Sequence, residues 1–222
     1  NINAKTRRRH LAAIRRFFNT IKKQKVDVEW PKYRSSIPSW ITKDEVNMFI
    51  SASDKYGLEF HCLFQLCYDG ALRISEALNL MDEDLLFQDK LIRIKLPKSG
   101  KYEEEYVPIE KEATWGLIKD WLKEKHKLYP KNDYVFPGEK SKRLSRSTVD
   151  VVIKSICKKI GISSSKAHAH VLRHSRATHL RRDGMEIDEL QKFLRHSDIK
   201  MTMIYDHIVL DDIRKRLSII DG

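Results

Sequence analysis

A single strand-like segment in an otherwise helical pattern constrains the fold of this chain more than any other feature. Residues 91–96 (LIRIKL) alternate apolar and basic side chains, which is typical of a half-buried strand. The turn-forming KSGK and then EYVPI (105–109) follow, so the sequence predicts one antiparallel β-hairpin.

Apolar residues outside the hairpin recur at helical spacing. Thr42 and Glu45 have the spacing of a capping box and open the first helix of the main domain. Further helices are predicted at residues 58–68, 75–80, 111–127, 146–160, 170–183, 187–194, 198–206 and 210–219. The predicted fold class is therefore mainly α with a small antiparallel β-sheet (α+β).

A basic arm precedes this domain. Residues 1–34 contain eleven lysines and arginines but two acids, whereas the remainder contains 32 basic and 29 acidic residues. Most of the net charge of +12 therefore lies in the arm. Such an uneven charge favours a polyanionic partner, most simply nucleic acid, although a solubilising tail is the alternative.

The arm itself has helical periodicity. Leu11, Ile14, Phe18 and Ile21 recur at helical spacing, and one such helix cannot bury its apolar stripe alone. Residues 28–40 contain two prolines and three serines and are predicted to be a linker before a domain at 41–222. The arginines of the arm are the predicted DNA contacts: Arg7, Arg8, Arg9, Arg15 and Arg16.

Several function classes are disfavoured by composition. No apolar run approaches the ~18 residues of a membrane span, so no membrane partner is predicted. There is no GxxxxGK[ST] loop for a nucleotide. Three scattered cysteines (Cys62, Cys67 and Cys157) predict reduced core residues of a cytoplasmic protein.

Residues 168–180 (HAHVLRHSRATHL) contain four of the nine histidines. His170 and His174 have the i, i+4 spacing of a zinc motif, but the glutamate and a third ligand are missing, so no metal is predicted. His174 and His179 are assigned to packing. His170 and Arg173 are three residues apart, so both can reach one ligand, and their chemistry suits a phosphodiester oxygen.

Two further segments can complete a phosphate site. Arg73 in GALRISEAL (70–78) is either an ion-pair partner of Glu76 or a second phosphate clamp. His196 lies in LRHSD (194–198), and Tyr205 follows nine residues later. A lone tyrosine is usually a packing residue, and its phenol is a weak nucleophile unless cations stabilise the phenolate.

Four motifs in this order, GALRISEALNL, HVLRHSRATHL, LRHSD and MIYDH, resemble the catalytic domain of the tyrosine recombinases. The match is to the Xer-like branch and its archaeal or viral integrase relatives, and it covers about residues 40 to 215. The resemblance implies that residues 1–27 are the C-terminal helix of a truncated core-binding domain.

The resemblance assigns six catalytic residues: Arg73, Lys98, His170, Arg173, His196 and Tyr205. The two arginines and His196 hold the scissile phosphate, His170 is a proton acceptor and hydrogen-bonding partner, and Tyr205 is the nucleophile. The lysine protonates the leaving 5′ oxygen. Because the hairpin turn is about two residues longer than usual, Lys101, otherwise a DNA contact, is the alternative general acid.

The resemblance also implies the reaction. The chain is expected to cleave and rejoin double-stranded DNA through a 3′-phosphotyrosyl intermediate, without a cofactor, as a tetramer on two duplexes. A type IB-like topoisomerase and a non-catalytic DNA-binding protein are the alternatives. Two residues depart from the family pattern, since Ala71 and Arg195 stand where glycine is common.

Overall fold

The computed structural model describes residues 4–22, 27, 29–31, 38–98, 101–139 and 141–220. The chain divides into two compact units, Asn1–Ile37 and Pro38–Gly222. In the first unit, helix α1 spans Ala4–Ile21, where the apolar repeat of the arm predicts a helix. The five arginines predicted to bind DNA lie on this helix with exposed side chains.

The second unit is mainly helical. Thr42 begins its first helix with a capping box, in which the Thr42 Oγ1 accepts from the backbone N–H of Glu45 and Glu45 Oε2 accepts from that of Thr42. The helices are α2 Lys43–Ser53, α3 Leu58–Asp69, α4 Ile74–Ala77, α5 Glu112–Leu128, α6 Arg146–Lys159, α7 Val171–Arg182, α8 Ile187–Leu194 and α9 Met203–Ile220.

Three antiparallel strands, in the order β1-β2-β3, form the sheet: β1 Leu85–Leu86, β2 Leu91–Lys98 and β3 Lys101–Pro108. Ile92 pairs with Val107, and both side chains are buried, so the alternation in the sequence marks the inner face of the sheet. The return strand begins at residue 101, four residues before the predicted EYVPI. Strand β1, which is two residues long, has no counterpart in the sequence prediction.

The C-terminal region differs from its prediction. The sequence predicts two helices at residues 198–206 and 210–219, whereas α9 is continuous and is preceded by a 3₁₀ turn at Ile199–Met201. Residues 207–209 (HIV) contain neither glycine nor proline, so nothing in the sequence interrupts the helix there. Tyr205 therefore lies in the first turn of a long helix.

Helix α3 crosses the core and buries seven of its twelve residues, including Cys62 and Cys67. These cysteines and Cys157 are unpaired and buried, as the sequence predicts. A second, smaller apolar cluster joins α7, α8 and α9 and contains Ala71, Ala177, Leu190, Leu194, Tyr205 and Ile208. Among the helices that the structure describes, none is long and apolar enough to cross a membrane.

Candidate active site

The site begins where α3 ends. The chain turns at Gly70 and Ala71, and Ala71 adopts a left-handed backbone conformation with φ of +44°. This turn brings Arg73 to the N-cap of the short helix α4. The turn at Ala71 thus requires a backbone conformation that glycine adopts with less strain.

Glu76 fixes the guanidinium of Arg73. One carboxylate oxygen accepts from Arg73 Nη1 at 2.5 Å, and the other accepts from the Arg73 backbone N–H at 2.8 Å. Arg73 can therefore be both an ion-pair partner of Glu76 and a phosphate ligand, because the ion pair leaves its side chain 29% exposed. Its Nη2 donates to the carbonyl of Arg195 at 3.4 Å. A partly exposed arginine held in this way is suited to a phosphate oxygen.

Glu76 is also the partner of two other arginines. Its carboxylate, 6% exposed, lies 2.6 Å from Arg195 Nη2 and 3.8 Å from Arg173 Nη1. Burial alone raises the pKa of Glu76, but the guanidiniums of Arg195 and Arg73 outweigh burial and lower it. The ionised carboxylate therefore offsets the repulsion among three neighbouring guanidiniums.

Arg173, on α7, is the most deeply buried of the predicted phosphate ligands, with 3% of its side chain exposed. Its Nη1 donates to the carbonyl of Ala71 at 2.6 Å, and its Nη2 donates to the carbonyl of Leu194. Burial and the neighbouring charges of Arg73 and Arg195 lower its pKa to about 9. These bonds align the guanidinium between the two segments that contain Arg73 and His196.

Arg195 has no role predicted from the sequence, yet its side chain points into the site. The residue ends α8 in a left-handed conformation with φ of +54°, which glycine adopts with less strain. Besides its bond to Glu76, its Nε lies 3.8 Å from Glu105 Oε2 on β3. Arg195 thus connects the hairpin to α4.

His196 follows directly. Its Nδ1 is hydrogen-bonded to Thr202 Oγ1 at 2.9 Å, and Thr202 is fully buried. Burial, Arg173 and Arg73 lower the pKa of His196 to about 4, so the ring is neutral at pH 7. When Nδ1 accepts from the Thr202 hydroxyl, the N–H of Nε2 is left to donate a hydrogen bond to a phosphate oxygen.

Tyr205 lies in the smaller apolar cluster with 1% of its surface exposed. Its hydroxyl is hydrogen-bonded to Nδ1 of His174 at 2.7 Å. Burial raises the pKa of Tyr205 to about 12, against the opposing effect of Arg173 and Arg73. The two arginines therefore offset part of the effect of burial, and the phenol stays protonated at neutral pH.

The remaining histidines of the 168–180 segment have distinct surroundings. His168 is hydrogen-bonded to Ser39 Oγ at 2.7 Å, and His179 to the hydroxyl of Tyr68 at 2.8 Å. His170 is half-buried at the N-cap position of α7, where its side chain makes no capping hydrogen bond, and its ring lies 6.1 Å from that of His174. Burial, Arg146 and Arg173 lower the pKa of His170. His174, for which the sequence predicts a packing role, instead contacts the tyrosine hydroxyl.

The structure thus brings together five of the six residues predicted to be catalytic: Arg73, His170, Arg173, His196 and Tyr205. The side chains of Lys98 and Lys101 lie outside the described part of the structure, although their backbones pair at the end of the hairpin. Within the described ranges, no three His, Cys, Asp or Glu side chains are grouped to hold a metal ion.

Removal of the Glu76 charge should destabilise the fold. We expect Glu76→Gln to lower the free energy of unfolding at pH 7 by about 3–5 kcal/mol, because buried guanidiniums lose their counter-ion. Since the pKa of Glu76 is lowered in the folded state, this stabilisation is present above the ordinary glutamate pKa and is lost as the pH falls. Urea titrations at several pH values measure both effects.

Glu83 provides a control for this variant. It pairs with Arg93 and Lys95 on the hairpin, but 63% of its side chain is exposed. Glu83→Gln should therefore lower the free energy of unfolding by less than about 1 kcal/mol. Equal effects of the two substitutions would show that the buried ion pairs of Glu76 contribute no net stability.

Comparisons with known proteins identify the family of this chain. Residues 39–210 match the phage integrase family. The tyrosine recombinase XerD of Listeria innocua is 32% identical over 94% of this chain and 74% of its own length. XerA of Pyrococcus horikoshii is 31% identical over 85% of this chain and 63% of its own length.

Solved structures show the same likeness. A XerH site-specific recombinase bound to a palindromic difH substrate, in a post-cleavage complex, matches with a TM-score of 0.80 and 25% identity. The match covers 100% of this chain and 69% of that chain. With its buried arginines beside a tyrosine, this chain belongs to the phage integrase family and is a site-specific tyrosine recombinase.

Proposed function

We propose that the chain cleaves a DNA strand by attack of Tyr205 on a phosphodiester and rejoins that strand to a partner. The observation that carries the proposal is the convergence of Arg73, Arg173 and His196 beside the hydroxyl-bearing Tyr205. Negative charge develops on the non-bridging oxygens during attack, and cations held in place beforehand stabilise it most.

The energetics of rejoining follow from the same chemistry. The 3′-phosphotyrosyl bond conserves the energy of the broken ester, so a free 5′ hydroxyl can displace the tyrosine without a nucleotide. Lys98, or alternatively Lys101, is proposed to protonate the leaving 5′ oxygen.

Double-stranded DNA is the proposed partner, supported by the relatives solved with DNA and by the exposed arginines of α1. We propose that four copies assemble on two duplexes and that the second half of α9 packs on a neighbouring copy. That half exposes apolar side chains, which supports this role: Leu210, Ile213, Leu217 and Ile219. The reduced, buried cysteines fit a cytoplasmic protein.

The test is covalent trapping on nicked suicide duplexes with randomised arms. Cleavage beside the nick releases a short fragment, so the protein remains attached, and the attached strands report the preferred site. We expect peptide mapping to find the DNA on Tyr205. Failure to trap any strand, or attachment at another residue, would contradict the proposal. Relaxation of supercoiled plasmid without the recovered site would indicate a topoisomerase instead.

The arm is proposed to anchor DNA rather than to take part in cleavage. Replacing Arg7, Arg8 and Arg9 by glutamine should weaken binding and reduce the slope of log Kd against log salt by about one for each phosphate that is no longer neutralised. The cleavage rate at saturating DNA should stay within a few-fold of the wild-type rate. Binding titrations at several salt concentrations measure the slope, and an unchanged slope would contradict anchoring by these residues.

A further inference from the structure

The nucleophile has a specific hydrogen-bonding partner. The Tyr205 hydroxyl lies 2.7 Å from Nδ1 of His174, and the two rings lie 6.1 Å apart. His174 follows Arg173 directly on α7, so one turn of helix supplies both the phosphate clamp and this contact. Among the described residues, no hydrogen bond joins Tyr205 to His170, the histidine to which the family resemblance gives the role of proton acceptor.

We propose that His174 accepts the proton of Tyr205 as the tyrosine attacks the phosphodiester. This inference rests on the proposed function and assigns a catalytic residue within the same site. It leaves His170, at the N-terminus of α7 beside Arg173, to hydrogen-bond the phosphate. For this transfer the Tyr205 hydroxyl must donate to an unprotonated Nδ1, with the ring proton of His174 on Nε2.

The charges around His174 keep it neutral before DNA binds. The groups that face it come from the segment before α7, from α7 itself and from the loop after α8: His168, His170, Arg173 and His196. Burial and these neighbours lower the pKa of His174 to about 4, while Tyr205 stays protonated. The pair is therefore inactive but ready to transfer the proton.

DNA changes this balance. A scissile phosphate against Arg73 and Arg173 brings negative charge beside His174, which offsets the positive field of the guanidiniums and raises the basicity of the imidazole. The Tyr205 proton moves to Nδ1, the phenolate oxygen bonds to phosphorus, and the bond from phosphorus to the 5′ oxygen breaks. The general acid protonates that oxygen, and rejoining reverses each step.

The decisive variant is His174→Asn, because the asparagine Oδ1 can replace Nδ1 as a hydrogen-bond acceptor but cannot take up the proton. On the nicked duplex recovered by trapping, we expect single-turnover cleavage at neutral pH to fall by about 10²–10⁴-fold. Difluorotyrosine at position 205, which has a more acidic phenol, should restore most of the missing rate. A variant with a packing defect alone would not respond to phenol acidity.

The chain contains a matched control on the same helix. His179 Nδ1 makes a similar hydrogen bond, 2.8 Å long, to the hydroxyl of Tyr68, and within the described part of the chain neither residue is hydrogen-bonded to Arg73 or Arg173. His179→Asn should therefore lower stability as much as His174→Asn does and leave cleavage within a few-fold of wild type. This comparison separates loss of a histidine–tyrosine bond from loss of the base.

Two results would overturn the assignment. One is cleavage by His174→Asn at the wild-type rate, and the other is a slow His174→Asn that difluorotyrosine does not accelerate. If the variant is unstable, the difluorotyrosine comparison still decides, because phenol acidity does not repair a misfolded protein. The proposed function has its own test, because absence of a Tyr205–DNA adduct in the wild-type chain would contradict it whatever His174→Asn does.

Discussion

Tyr205→Phe is expected to abolish the covalent protein–DNA adduct while the folded structure persists. The substitution removes only the hydroxyl, and the ring keeps its place in the apolar cluster with Leu190 and Leu194. Loss of the hydrogen bond to His174 should cost about 1 kcal/mol. Without the oxygen no phosphotyrosyl bond can form, so a denaturing gel should show no shifted strand at any time.

Tyr68 serves as the control. Its hydroxyl is hydrogen-bonded to His179, which lies on α7 as His174 does. Tyr68→Phe therefore removes a tyrosine–histidine hydrogen bond outside the site. We expect this variant to form the adduct at close to the wild-type rate and to unfold at a similar urea concentration to Tyr205→Phe. A shifted strand with Tyr205→Phe would exclude Tyr205 as the sole nucleophile.

Most of the fold can be predicted from the sequence because its elements have local signals. The repeat of apolar residues and Gly184 predict a helix at 170–183, and α7 spans Val171–Arg182. The alternation of residues 91–96 predicts β2. By contrast, β1 has two residues and no periodicity of its own, since its pairing with β2 defines it. The break expected before residue 210 is absent because no residue there disrupts a helix.

The candidate site is less accessible to sequence reasoning because its contacts join distant segments. The Arg73–Glu76 pair has a local signal, because the two residues are three apart at the start of a helix. The ion pair is accordingly one of the two roles predicted for Arg73. Arg195 has none, because a left-handed backbone at a non-glycine residue turns its side chain inward. The packing role predicted for His174 is incomplete, since only the approach of α9 gives it Tyr205 as a partner.

The same contacts explain how the proposed phosphate site can be buried in a stable domain. Arg173 and Arg195 repel one another, and burial disfavours the charge of Arg173. Glu76 supplies the compensating charge, and the carbonyls of Ala71 and Leu194 satisfy the Arg173 N–H groups. The site is therefore organised before DNA arrives, which is the condition under which fixed charges accelerate a reaction most.

Arg173→Lys is accordingly expected to lower cleavage by at least about 10²–10³-fold, although the charge is retained. The guanidinium donates to the carbonyls of Ala71 and Leu194 and still has N–H groups for a phosphate. The ammonium of lysine cannot reproduce this planar arrangement of donors. Single-turnover cleavage of the recovered nicked duplex measures the loss. Non-specific DNA affinity should change little, since it depends chiefly on exposed basic side chains.

Arg181→Lys is the matched control for this variant. Arg181 also lies on α7 and donates to a carboxylate and a carbonyl, those of Asp206 and Met185, but no predicted phosphate ligand contacts it. Its replacement should reduce stability modestly and leave cleavage within a few-fold of wild type. If Arg173→Lys instead weakened DNA binding and cleavage by the same factor, Arg173 would act by anchoring DNA. The preorganised clamp would then have to be assigned to Arg73 and His196 alone.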